Sequence, residues 1–193
     1  GEREELAELG VATYVAPPAC QDPAYQPSPL GFDDIFDYIH EVGMLLGVEQ
    51  QAQTLVAQQQ DRLEAITPDE RGLTAVWYSS GSDIPFVGGG IGAPQLLMET
   101  VGLTNINADI DDTWASVAWE AIADQNPDVI VLVDSAWNTV DNKIGVLESN
   151  PITARMDAVK NERYLTVDFP ASEAGVRSVD AAASLASQLA ELD

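Results

Sequence analysis

Few residues in this chain are equipped for bond chemistry. Its 193 residues hold one histidine, His40, and one cysteine, Cys20. His40 follows Tyr38 and Ile39 in a helical pattern, far in sequence from any nucleophile, and reads as a surface or hydrogen-bonded helix histidine. HExxH, GxSxG and a Cys-His pairing are all absent, so no catalytic set is assigned. A lone cysteine excludes an internal disulfide and leaves no thiolate cluster for structural zinc. Asp109, Asp111 and Asp112 in NADIDDTW form an acidic turn, but the glycine and distal glutamate of a calcium loop are missing. A solvated loop is the expectation there, and neither a metal site nor a resident cofactor is expected.

The remaining candidates are groups that bind. The run Gly88-Gly-Gly-Ile-Gly92 invites a phosphate-loop reading. No Lys-Ser/Thr pair follows it, its spacing is not GxGxxG, and no acidic residue for a ribose stands on the next strand. A flexible turn leading a helix into a cleft fits better, with backbone N–H groups available to an anionic ligand group. Tyr78 and Trp137 stand at or just beyond the ends of expected strands, Phe86 lies in the glycine-rich stretch, and Trp114 precedes a helix. Together they are expected to rim a site for a flat or bulky ligand, the competing role for each being core packing. Arg177, with Glu173 in FPASEAGVRSV, is expected at the same lip, to pair with a ligand carboxylate or phosphate or to form a helix-start salt bridge.

Composition narrows the partners. The chain has 32 acidic and 8 basic residues, a net charge of -24, which repels phosphate backbones and anionic lipid. Nucleic-acid binding is therefore not expected. Such charge suits solubility in a salty or extracellular setting, or attraction of a cationic partner. Hydrophobic residues make up 46%, too many for a disordered chain, and no apolar stretch reaches the roughly 20 residues needed to cross a bilayer. The opening GEREELAELG is already helical, as in a processed or truncated product, and leaves the location of the parent protein open.

Periodicity supplies the elements that position these residues. Residues 2–9 read as a helix ended by Gly10, and 11–15 as a strand. Residues 16–31 are a Pro-rich loop. Helical spacing then runs through 32–66 with a break at Gly47-Val48, Asp33 or Asp34 capping its start. The second half, about 27 Å long, is enough to link two lobes. Strands are expected over 73–78, 129–133 and 163–167, with a short edge strand after Gly102. Helices are expected over 95–101, 118–124, 138–148 and 179–192. This alternation predicts an α/β fold with a mostly parallel sheet and right-handed crossovers.

In order along the chain, LAELGVATYVAP, DIFDYIHEVGMLLGVEQQAQTLV, VGLTNINADIDDTWASVAWEAIADQNPDVIVLVDS and NPITARMDAVKNERYLTVDFP resemble the ABC-transporter solute-binding proteins for iron-siderophores, haem and cobalamin. In that class two lobes are joined by one long helix. The resemblance covers essentially the whole chain. It implies a remnant of an N-terminal lobe at 1–31, a helical linker at 32–68 and a Rossmann-like C-terminal lobe at 69–193. It also implies a binding protein rather than an enzyme, capturing a metal chelate (ferric siderophore, haem or cobalamin-like) outside the cytoplasmic membrane for delivery to a permease, as a monomeric periplasmic protein or cell-surface lipoprotein. The family docks on its permease through one glutamate per lobe, and Glu120 in VAWEAIADQNPD takes that position here. WYSSGSDIPFVGGGIGAPQLLMETVGL with VDSAWNT is similar to a branch proposed to carry a deazaflavin coenzyme precursor, a flat anionic ligand that aromatics plus Arg177 would suit. Ferric siderophores and haem remain alternatives, as does a sensor or interaction domain on the same scaffold.

Overall fold

The computed structural model describes residues 2–192 except Gln21 and Pro23. The first helix, α1 (Glu2–Glu8), stops at Gly10, whose φ of 74° is a conformation that side chains with a Cβ avoid. Residues 11–15, expected as a strand, form none. A strand needs a hydrogen-bonded neighbour, and Val11 and Val15 lie exposed without one among the described residues. The Pro-rich loop follows, with a single short turn of 3₁₀ helix at Pro17–Ala19.

The helical stretch breaks where the glycine predicts. Helix α2 (Phe32–Leu46) ends at Gly47, with φ 69°, and α3 (Glu49–Glu64) begins two residues later. Asp34 caps α2 from inside its first turn, its carboxylate accepting the Gly31 N–H at 2.7 Å. The 16 residues of α3 make a rod of about 24 Å. The two helices meet so closely that a Cβ on Gly43 would stand 2.4 Å from that of Ala52. Their shared apolar face, Ile35, Phe36, Ile39, Ala52 and Val56, packs with Val179 of the last helix.

The sheet is built from β1 (Thr74–Ser80), β2 (Phe86–Gly88), β3 (Thr104–Asn105), β4 (Trp114–Ser116), β5 (Val129–Asp134) and β6 (Tyr164–Asp168). Its order is β4-β2-β1-β5-β6, with β3 pairing the first residues of β1. Strands β3, β1, β5 and β6 run parallel, whereas β2 is antiparallel to both β1 and β4. The two short strands were not legible from periodicity, because three residues complete too little of a two-residue repeat to register. Between the strands run α4 (Ala93–Thr100), α5 (Trp119–Gln125), α6 (Val140–Ser149), α7 (Asp157–Lys160) and the closing α8 (Ser178–Glu191).

Strand parity divides the core. Ala75, Trp77, Val129, Val131 and Leu165 face α4 and α8, while Val76, Tyr78, Ile130 and Leu132 face α5 and α6. Both faces are covered, as a parallel sheet requires, and full burial of each such side chain contributes about 1.5–3 kcal/mol. Two polar clamps fix the edges. The Asp128 carboxylate accepts from the Thr74 N–H and Oγ1, both at 2.8 Å, and the backbone donor above all holds its pKa below the ordinary value. Arg71 donates to the carbonyls of Leu189 and Leu192, tying the end of α8 to the entry of β1.

Candidate functional site

A cleft of about 630 Å³ separates the 17–26 loop from the β2–β4 end of the sheet. Sheet register builds its aromatic wall. Phe86 pairs with Ser116 and Gly88 with Trp114, which sets Phe86 and Trp114 diagonally on one face. Their rings stack with centroids 5.7 Å apart and planes 18° from parallel. Pro18, Ala19 and Cys20 stand opposite, and Asp111, Asp112 and Glu173 supply the polar lining. Asp112 also orders its own loop, Oδ1 accepting the Thr113 N–H at 2.7 Å. Partial burial pushes the Glu173 carboxyl above its ordinary pKa.

The glycine run has a structural task next to this wall. Gly89 and Gly90 donate their N–H groups to the carbonyls of Thr113 (2.9 Å) and Ile110 (2.8 Å). A Cβ at either position would stand 2.2 Å from the Asp112 oxygen or 2.0 Å from the Ala108 oxygen. Buried Asn105 locks the near side, its amide donating to Gly89 O at 3.0 Å and to Gln95 Oε1 at 2.9 Å. The glycines thus let two backbone segments lie against each other, and these two N–H groups, expected to be free for an anion, are already used.

The sequence-derived ligand-site residues separate into four places. Phe86 and Trp114 meet in the cleft. Tyr78 does not join them: it is 1% exposed, its hydroxyl donates to Gly81 O at 2.7 Å, and its ring meets Trp119 edge-on. Burial pushes that hydroxyl up to about 12. Both faces of β1 are covered from Ala75 to Tyr78, so the Tyr78 side chain points into core. Trp137 is 72% exposed beyond β5 and forms a second aromatic pair with Phe169, edge to face at 4.9 Å. Arg177 lines a separate depression of about 350 Å³ between β6 and α8, with Asp168 and Gln188, rather than the aromatic cleft.

Glu120 lies exposed in the first turn of α5, with no hydrogen bond or ion pair among the described residues. Glu173, expected at the lip, does line the cleft, whereas sequence reasoning passed over Cys20, since only folding brings the Pro-rich loop against the other segments. It also missed Lys143, 1% exposed on α6, whose Nζ donates to Asn138 O at 2.6 Å and so holds the turn bearing Trp137. Burial lowers the Lys143 pKa, and nearby Asp134 opposes the shift. Among the described residues no three His, Cys, Asp or Glu side chains are grouped to hold a metal ion. What this architecture offers is a ligand-sized, aromatic-walled cleft at one end of an α/β sheet, a place suited to binding a small molecule.

The periplasmic binding protein family profile matches residues 1–171, and the chain belongs to that family. That family is one of binding proteins and not of enzymes. The chain is similar to the crystal structure of a periplasmic binding protein from Veillonella parvula, with 26% identity and a TM-score of 0.83. It is also similar to a protein of an ABC-type Fe3+-hydroxamate transport system from Saccharomonospora viridis, with 26% identity and a TM-score of 0.84. Each alignment covers 96% of this chain and 64% of the relative, so the chain spans a little under two thirds of their length. A periplasmic haem-binding protein from Roseiflexus shares the fold at 20% identity, with a TM-score of 0.77, over 98% of this chain and 70% of that one. No curated protein sequence matches. No helix among the described residues is long and apolar enough to cross a membrane.

Proposed function

We propose that the chain is the larger part of the substrate-binding component of an ABC importer, capturing a metal chelate outside the cytoplasmic membrane and delivering it to a permease. The observation that carries this reading is the stacked Phe86–Trp114 pair walling a cleft of about 630 Å³, within a chain of the periplasmic binding protein family. A volume of that order suits a ligand larger than a bare ion, and the Fe3+-hydroxamate transport relative adds weight to a ferric chelate. Residues 1–31 would belong to a first lobe, 32–68 to the linker and 69–193 to the second lobe, with the first lobe completing the cleft. Glu120, exposed on α5, would meet basic residues of the permease, and the surrounding acidic field would speed that encounter. A deazaflavin precursor is the alternative cargo, and a sensor or interaction domain the alternative role. The deazaflavin alternative loses support because Arg177 stands outside the aromatic cleft.

Tryptophan fluorescence of the full-length protein tests the reading. Trp77 and Trp119 are buried and Trp137 stands outside the cleft, so of the four tryptophans a ligand in the cleft acts on Trp114. Titration with a ferric trihydroxamate, haem, cobalamin and the deazaflavin precursor should give saturable quenching by one of them, and Trp114→Phe should abolish it. Folded protein that responds to none of the four would overturn the assignment.

A further inference from the structure

The charge of the cleft wall points to the charge of the cargo. We infer that this lobe selects a cationic ligand, a ferric chelate bearing a protonated amine, over neutral and anionic chelates of the same shape. The inference rests on the importer reading above and concerns the end of the ligand that meets Phe86 and Trp114.

Asp111, Asp112 and Glu173 line the cleft, and no Lys, Arg or His lines it among the described residues. None of the eight basic residues lines this cleft, and six of them have partners or places elsewhere. Arg62 pairs with Asp180, Arg71 with Asp69 and the end of α8, and Lys160 with Asp157. Lys143 is buried against Asn138 O, Arg3 donates to Thr13, and Arg177 lines the depression between β6 and α8. An anion reaching the aromatic pair would therefore meet three carboxylates and no compensating cation from this wall. The glycine loop does not compensate either, because the Gly89 and Gly90 N–H groups are spent on Thr113 and Ile110.

A cation meets the opposite situation. The stacked pair lines the cleft, and an ammonium over the outer face of either ring would gain cation–π attraction. The carboxylates add Coulomb attraction, which salt screens because all three residues are exposed. Glu173 is the clearest case, since burial disfavours its charged form and a ligand ammonium would restore it. Ligands with two or more carboxylates, haem among them, are disfavoured at this wall by the same terms.

A set of ferric trihydroxamates with one scaffold decides the matter. The pendant amine left free carries one positive charge, acetylation makes the chelate neutral, and succinylation leaves one negative charge. Binding to the full-length protein should fall in that order, with about tenfold or more between the extremes and a smaller gap at high salt. Asp111→Asn with Glu173→Gln should bring the three affinities within about threefold, near-ultraviolet circular dichroism reporting that the fold is kept. Equal affinities in the unaltered protein, or tighter binding of the succinylated form, would overturn the charge selection and leave the importer reading in place. Binding of haem or the deazaflavin precursor in preference to all three would do the same. Failure of every ligand to bind would overturn the importer reading, and this inference with it.

Discussion

Replacing Gly90 by alanine separates a glycine kept for packing from one kept for a ligand. The added Cβ would stand 2.0 Å from the Ala108 oxygen, 2.8 Å from the Ala108 carbon and 3.0 Å from the Ile110 oxygen. All three are backbone atoms, so no side chain can swing aside, and the 108–113 segment must retreat by about 1 Å or more. Overpacking of that kind costs about 1–3 kcal/mol. The retreat also strains the Gly90 N–H bond to Ile110 O, whose loss costs about 1 kcal/mol more. The sum, about 2–4 kcal/mol, should lower the melting temperature of a domain of this size by about 5–15 °C.

Calorimetry or circular dichroism measures the shift, with Gly145→Ala as the opposite control. Gly145 sits inside α6 with no atom within 4 Å of its notional Cβ. Alanine there should stabilise by about 0.5–1 kcal/mol. The Gly90 variant should also bind more weakly, because the displaced segment carries Asp111 and Asp112 into the cleft wall. A phosphate-type loop would behave otherwise, losing affinity with little change in melting. An unchanged melting temperature for Gly90→Ala would refute the packing argument.

Asp128→Ala should cost about 1–3 kcal/mol by leaving the Thr74 N–H and hydroxyl unpaired. The carboxyl pKa is lowered in the fold, so its contribution is present above the unfolded value and lost as pH falls through the folded one; urea midpoints between neutral pH and acid should flatten in the variant. Lys143→Met removes a buried amine whose pKa is lowered in the fold, so the gain in stability that the native protein shows as pH rises toward the unfolded lysine value should vanish. Arg71→Ala frees the carbonyls of Leu189 and Leu192, and amide exchange near the end of α8 should accelerate while the central strands stay protected. Glu120→Arg should abolish uptake by cells with ligand affinity unchanged; uptake that survives the change refutes the docking role.

The parallel frame is legible because its strands are long and doubly buried. VIVLVD and TAVWYSS are rich in apolar residues and admit little besides a covered strand. The helix break at Gly47 is equally plain, since only the backbone conformation is at stake. The antiparallel β2 and β4 are invisible for the opposite reason. Each is three residues long, and what makes them strands is pairing with each other and with β1. Residues 11–15 show the converse failure, a β-branched pattern with no neighbour to complete it.

The site divides along the same line. Phe86 and Trp114 lie on the strands that local pattern could not reveal, yet they meet because diagonal positions on one face bring large rings together. Tyr78 and Arg177 were placed at the rim by position along the chain alone. Position near a strand end does not fix the direction of a side chain. Tyr78 falls on the parity that points at Trp119, and Arg177 begins a helix that packs over β6. The consequence is chemical as well as geometric. Taking Arg177 out of the cleft removes the cation that an anionic ligand would need, while Glu173 stays at its wall. Of the ligands the sequence left open, tertiary placement thus weakens the flat anion and favours a chelate that carries positive charge.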